Sequence, residues 1–221
     1  RIKGFYLAVA TLAAQFFLIW LFNKVGWFYN YSATGMITSP SRSVGSFFIT
    51  GSESSPAAKY LFCFLFVFLL AWIARNLTRG KIGRSWMAIR DMDIAAEIIG
   101  VNPLIAKLSA FAVSSFYVGV AGALFFSVYL GAVEPTEAFS IQKSFIVLFM
   151  VIIGGLGSIF GSFAGAAFMV LLPVALKNLL VLQFGWSVDI AAHFEFIIIG
   201  GLIIFFLIVE PHGLAQLWNL L

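Results

Sequence analysis

The constellation that carries most information is Asp91-Met92-Asp93-Ile94-Ala95-Ala96-Glu97-Ile98-Ile99-Gly100-Val101-Asn102-Pro103. Its residue types punctuate a short helix. Asp93, or Asp91, can cap the N-terminus, where a carboxylate accepts from free amides and meets the positive end of the helix dipole. Gly100 suits the left-handed position after the last turn, and Pro103 forbids continuation. Ile94 and Ile98 stand at i and i+4, which gives a helix of two turns an apolar stripe. So short a helix is marginal in water, because its nucleus is costly, and it needs a surface to pack on. That surface is either the membrane or the chain's own bundle, or a groove on a soluble partner. In the last case Arg90, Asp91, Asp93 and Glu97 would fix the orientation.

Other chemistry is missing from the chain. A phosphate-cradling Gly-x-x-x-x-Gly-Lys-[Ser/Thr] loop is absent, since Arg75 stands five before Gly80, so ATP is not bound by that motif. Cys63 is the single cysteine, and no His or Cys cluster suggests a metal. No catalytic residue and no cofactor is expected, because an intramembrane enzyme needs a nucleophile, base or metal set at depth. Ion-coupled transporters and pumps place ionisable side chains inside their spans, and here none falls in the middle of one. Asp189, Glu134 and Glu137 are read as external, His193 and Glu195 as an outer helix end, and Glu210 as an inner one.

The elements that must position the short helix are membrane spans. The chain has 221 residues, 62% apolar and 10% charged, with 26 phenylalanines, and a mean hydropathy of +1.05. Soluble domains are about 45–50% apolar and about 25% charged, so lipid must solvate most of this surface. Six apolar stretches, 4–22, 60–74, 108–130, 144–153, 161–176 and 194–209, read as about six transmembrane helices. The fourth is short for a crossing of about 20 residues and is either completed by 156–160 or broken. Segment 75–107 holds six basic residues and segment 24–59 only three. Cytoplasmic loops carry the excess of Lys and Arg, which places 75–107 inside, with Arg1 and Lys3 at the inner end of the first span. Segments 24–59, 131–143 and 177–193 then lie outside. The net charge of +4 follows from this topology and does not imply nucleic acid. A short element is expected at 44–49.

Glycines supply a second pattern. Gly157, Gly161 and Gly165 recur every fourth residue, a spacing that lines one helix face for close backbone approach. Gly119, Gly122 and Ala123 do similar work in the third span. Helix packing is the simpler role for this set. A pore-lining role would need Gly154-Gly155 to break a helix at membrane depth, where irregular backbone is tolerated only against a cavity.

Gly83-Arg84-Ser85-Trp86-Met87-Ala88-Ile89-Arg90-Asp91 followed by Ala95-Ala96-Glu97-Ile98-Ile99-Gly100-Val101-Asn102 resembles the cytoplasmic coupling loop of branched-chain amino-acid ABC permeases. The resemblance continues through Ala121-Gly122-Ala123-Leu124, Gly154-Gly155-Leu156-Gly157-Ser158 with Gly161, and Pro211-His212-Gly213-Leu214. It covers roughly 48–217 and is nearest the M-type subunit. It implies an all-α integral membrane permease whose coupling helix binds cytoplasmic ATPase subunits. It further implies pairing with a second, homologous permease subunit and substrate delivery by a periplasmic amino-acid-binding protein, all at the bacterial inner membrane. Under the resemblance the ATPase contact falls on Asp91, Asp93, Ile94, Ala95, Ala96, Glu97, Ile98 and Gly100, and Glu134 and Glu137 could meet a basic patch on the delivering protein. The family more often has Arg-Pro-[Arg/Lys]-Gly where this chain has Glu210-Pro211-His212-Gly213, which weakens anchoring of the last helix. Family members carry further N-terminal helices, so residues 1–221 are expected to form one permease domain, the C-terminal part of a longer chain. The alternatives are a related urea or amide permease, which usually has Gly-Gly-Arg-Gly-Thr at 154–158, and an ion-coupled secondary transporter.

Overall fold

The computed structural model of the chain describes residues 5–32, 34–45, 47–51, 54–209 and 213–214. The expectations placed on Arg1, Lys3, Glu210, Pro211 and His212 lie outside these residues. The chain divides into two compact units, Arg1–Ala138 and Phe139–Leu221.

The first unit begins with helix α1 (Phe5–Lys24) and a loop carrying strands β1 (Ile37–Thr38), β2 (Ser43–Val44) and β3 (Phe47–Phe48). Helix α2 (Pro56–Arg79) follows, then the short helices α3 (Lys81–Asp91) and α4 (Asp93–Ile98) and the long α5 (Pro103–Leu124). The chain runs on through a π-helical segment (Phe125–Leu130), strand β4 (Ala132–Val133) and the single turn α6 (Pro135–Ala138). α2 starts where Ser55 Oγ accepts from the amide of Ala58 at 3.2 Å, with Pro56 in the first helical position. That pairing satisfies one free amide and removes another. The Tyr117 hydroxyl of α5 donates to the Leu70 carbonyl of α2 at 2.8 Å, which ties the two long helices together where no water can serve.

One end of this unit is closed by residues far apart in sequence. β1 pairs antiparallel with β4, Ile37 opposite Val133 and Thr38 opposite Ala132. The Ser39 amide donates to the Gly131 carbonyl at 2.7 Å, and Asn23 Nδ2 donates to Thr136 Oγ1 at 2.9 Å. The two segments that charge parity puts outside therefore meet. The element expected at 44–49 is the β2–β3 hairpin, Ser43 opposite Phe48. Buried Thr50 braces it, accepting from the Arg42 amide at 2.8 Å and donating to the Pro40 carbonyl at 3.0 Å.

The second unit holds α7 (Ile141–Gly154), α8 (Ile159–Asn178), a second π-helical segment (Leu179–Gln183) and α9 (Val188–Val209). α7 has 14 residues, about 21 Å of helix, and ends at the Gly154-Gly155 break; with α6 before it, the fourth apolar stretch reaches crossing length on its N-terminal side, as Pro135–Gly154. α9 begins earlier than the sequence suggested. Asp189, read as loop, is in its first turn, and His193 and Glu195 are helical rather than at a helix end. Seven residues of rise put Glu195 about 10 Å along the helix from its start.

Five helical stretches are long and apolar enough to cross a membrane: Pro56–Arg79, Pro103–Leu130, Pro135–Gly154, Ile159–Gln183 and Val188–Phe206. α1, with 20 residues, supplies a sixth apolar helix of about 30 Å. At most 17% of any of the five spans is buried. Phe64, Phe68, Phe111 and Phe196 stand exposed on them, which is the arrangement of helices solvated by lipid.

Candidate functional site

The short helices are built from the end of α2 outward. Gly80 stops α2 in an extended conformation (φ −74°, ψ 177°), and the chain doubles back. The turn is tight enough that a Cβ on Gly83 would overlap the carbonyl oxygens of Leu77 and Thr78. Only glycine lets α3 fold so closely against the end of α2.

α4 then forms as a punctuated helix whose punctuation differs in part from expectation. Met92, not Asp91 or Asp93, occupies the N-cap and makes no side-chain cap bond. Asp93 is the first helical residue, where its carboxylate still meets the dipole. It reaches Lys107 of α5 at 4.0 Å, while Asp91 takes a bond from Arg90 Nε at 2.8 Å. Both pairs are exposed and stabilise weakly. The Asp91 carboxylate holds the Arg90 guanidinium above its usual range, first by the hydrogen bond and then by charge, so Arg90 stays a cation at any working pH.

The other end of α4 is a complete Schellman stop. Gly100 is left-handed (φ 91°). Its amide donates to the Glu97 carbonyl at 3.0 Å, and the Val101 amide reaches back to the Ala96 carbonyl at 3.0 Å. Asn102 then caps α5, its Oδ1 accepting from the amides of Leu104 (3.0 Å) and Ile105 (3.3 Å), with Pro103 first in the helix. Pro103 therefore starts the next element as well as closing this one.

Packing gives the site its polarity. Ala96 is 2% exposed and joins Ile89 of α3 and Ala106 of α5 in a small core, with Trp86, Ala88 and Val101 against it. Trp86 Nε1 donates to Ser109 Oγ at 2.9 Å, and that hydroxyl donates to the Ala106 carbonyl. Three helices are thus locked as one platform. At about 100° per residue, Ile94 and Ile98 lie on the side of α4 opposite Ala96. They are 74% and 81% exposed, with Met92 at 71% and Ile99 at 76% beside them. Among the described residues the stripe packs on none of the chain's own helices. Ala95, Glu97, Asp91 and Asp93 are also exposed around it.

In the second unit the glycines are brought together differently from their spacing. Gly157 is left-handed (φ 89°) in the turn before α8, outside the helix itself. Ser158 caps α8, its Oγ accepting from the Gly161 amide at 3.0 Å. Gly154, Gly161 and Gly165 meet instead across the α7–α8 hairpin. A Cβ on Gly154 would overlap the backbone of Gly161, and one on Gly165 would overlap the Met150 carbonyl and the Gly154 backbone. Gly155 closes α7 at φ 105°, and buried Gly213 returns to it so closely that a Cβ there would fall 2.5 Å from the Gly155 backbone. The contact of Gly213 with the turn was invisible in sequence, although both motifs were read as lying inside. Among the described residues no three of His, Cys, Asp or Glu gather as a metal site.

Five helical stretches of crossing length, with most of their surface left to lipid, define a multi-pass membrane protein. The chain belongs to the branched-chain amino acid transport system / permease component family, whose model matches residues 1–207. It is 29% identical to the high-affinity branched-chain amino acid transport system permease protein LivM of Salmonella typhimurium, over 98% of this chain and 52% of that protein. It is 28% identical to LivM of Escherichia coli K12, with the same coverage. The chain thus spans about half the length of the curated relatives it matches. No solved structure matches it.

Proposed function

We propose that the chain is a permease subunit of an ATP-driven importer for branched-chain amino acids in the bacterial inner membrane. In this reading α4 is the handle gripped by cytoplasmic ATPase subunits, with Asp91, Asp93, Ile94, Ala95, Glu97, Ile98 and Gly100 around the contact; Ala96, also expected there, is 2% exposed and serves the core beneath it instead. A second homologous permease subunit and a periplasmic amino-acid-binding protein complete the assembly. The carrying observation is the stripe of Ile94 and Ile98, exposed at 74% and 81% on the side of α4 turned away from its own core. An apolar ridge on a helix pinned by a Schellman stop is the shape that seats in a groove. The chain is a transport subunit and leaves nucleotide hydrolysis to its partners. The role proposed for Gly154, Gly155, Gly157, Gly161 and Gly165 is helix packing and turn geometry, not a pore lining. Residues 1–221 act as part of one permease domain. The substrate class rests on the family and on the names of the LivM relatives.

The test is mild detergent extraction of the tagged chain from its host. Recovery of an ATPase pair and a second permease is the expected result. A cysteine at Glu97, in a Cys63→Ser background, should react with an impermeant thiol reagent only from the cytoplasmic face. Reaction from the outer face alone would refute the orientation and the partner together.

A further inference from the structure

The basic end of α2 completes an exposed stripe. Leu61, Leu65, Phe68, Trp72, Arg75 and Arg79 follow one another in alternating steps of four and three, which keeps them on one face of the helix. All six are exposed. Leu70, whose carbonyl takes the Tyr117 hydroxyl of α5, stands about 160° round the helix from Trp72, so the stripe faces away from that contact. Its order is the order of a membrane leaflet: apolar side chains, then a tryptophan of the kind that sits at the membrane–water interface, then two guanidinium groups. Lys59 and Arg75 bracket the apolar run with about 24 Å of rise between them, less than a hydrocarbon thickness of about 30 Å. Cations at the ends of so short a run reach along their stems toward the headgroups. Charge at this end is one-sided: Arg75, Arg79, Lys81 and Arg84 fall within ten residues, and 54–90 contain no Asp or Glu. The end of α2 is closed by other groups. The Gly80 amide donates to the Asn76 and Leu77 carbonyls at 3.1 and 3.2 Å, and Arg84 Nη1 donates to the Arg79 carbonyl at 3.1 Å. That last bond also brings a third guanidinium to the end of the stripe.

We propose that this face of α2 is a binding site for an anionic phospholipid. Arg75 and Arg79 hold its phosphate, the planar fork of each guanidinium matching two phosphate oxygens. Trp72 lies at the level of the glycerol backbone, and an acyl chain runs along Leu61, Leu65 and Phe68. Lys81 and Arg84 add positive potential that selects a headgroup with net negative charge. A protein neighbour fits the stripe less well. A soluble partner meets Arg79 and the residues beyond it but not the apolar part of the face, and a helix packed in the membrane must bring a carboxylate to the depth of Arg75. A lipid supplies both the phosphate and the chain at the right heights. The inference is independent of the proposed import function and of its substrate.

The experiment is native mass spectrometry of the full chain, with any subunits that co-purify, titrated in detergent with phosphatidylglycerol or with phosphatidylcholine of the same acyl chains. The expected result is tighter binding of phosphatidylglycerol by about thirtyfold, the scale of two basic side chains at a charged leaflet. The double change Arg75→Gln with Arg79→Gln should remove that preference. The double change Arg75→Lys with Arg79→Lys keeps the charge and should retain most of it, which separates loss of the site from loss of the fold. Arg42→Gln, in the loop before α2, should leave it intact. A hundredfold excess of glycerol phosphate over lipid should displace nothing, since the free headgroup lacks the chain. Equal affinity for the two lipids, a preference that survives both glutamines, or displacement by glycerol phosphate would each overturn the site. Loss of a co-purifying subunit in the glutamine variant, with its phosphatidylglycerol affinity unchanged, would assign the face to a protein neighbour and overturn it as well. Import of amino acids by a complex that shows no lipid preference rejects this site and leaves the proposed function standing.

Discussion

Replacing both Ile94 and Ile98 by alanine should uncouple the chain from the ATPase partner proposed for it, without disturbing its fold. Each change deletes three carbons, worth about 0.8 kcal/mol apiece when buried. The side chains are 74% and 81% exposed in the free chain, so nearly all of that burial becomes available only on docking. Scaled by those fractions, the two truncations remove about 1.8 and about 1.9 kcal/mol of contact energy. If the two losses add, affinity falls about 500-fold. The measurement is binding of the purified ATPase subunit to nanodisc-embedded chain by surface plasmon resonance, with melting of the isolated chain as the control. Melting should be unchanged, because neither side chain packs on Ile89, Ala96 or Ala106. An affinity within threefold of the parent would refute the assignment of this ridge as the docking surface. An Ala96→Leu variant should behave in the opposite way and lower thermal stability, since the site is 2% exposed and overpacking costs about 1–3 kcal/mol.

Other outcomes follow from single positions. Glu97→Lys or Gly100→Pro should leave membrane insertion intact and abolish ATP-driven uptake in reconstituted vesicles. The first inverts a charge at the contact; the second cannot take a φ of 91° and ends the Schellman stop. Gly165→Ala should lower thermal stability by at least about 1–3 kcal/mol, read by scanning fluorimetry, because its new carbon meets backbone and no side chain can yield. Thr50→Val should loosen the outer loop by about 1–3 kcal/mol and speed protease cleavage in 37–51, since it strips partners from the Arg42 amide and the Pro40 carbonyl.

The spans and the short helix α4 were legible because their signals are long or sharply punctuated. Twenty apolar residues can satisfy their backbone in lipid only as a helix, and Gly100 before Asn102-Pro103 admits few conformations. The capping of α4 was misread because a short helix held by Ala96 and a Schellman stop can do without a side-chain cap, which leaves Asp93 one position further in. The glycine spacing was misread at Gly157 because a period of four cannot reveal that Ser158 starts the helix after it. Asp189 hid the start of α9, since a charged residue in a first turn looks like loop, and with the start misplaced His193 and Glu195 fell at the expected helix end. β1 and β4 have two residues each, too few for any alternation to show, and their pairing spans about half the chain. The π-helical segments carry no compositional mark: Phe125–Leu130 reads as ordinary apolar helix until its backbone is seen.

The α7–α8 hairpin has a mechanical consequence. Helices that slide past each other do so by exchanging the notches that side chains occupy, and a seam made of bare main chain offers no alternative notch. With Gly154 set against Gly161 and Gly165, the two helices form a single stiff strut. Any rearrangement within this unit must therefore carry this pair as one piece, joined by the Gly155 turn and followed by the widened coil at Leu179–Gln183.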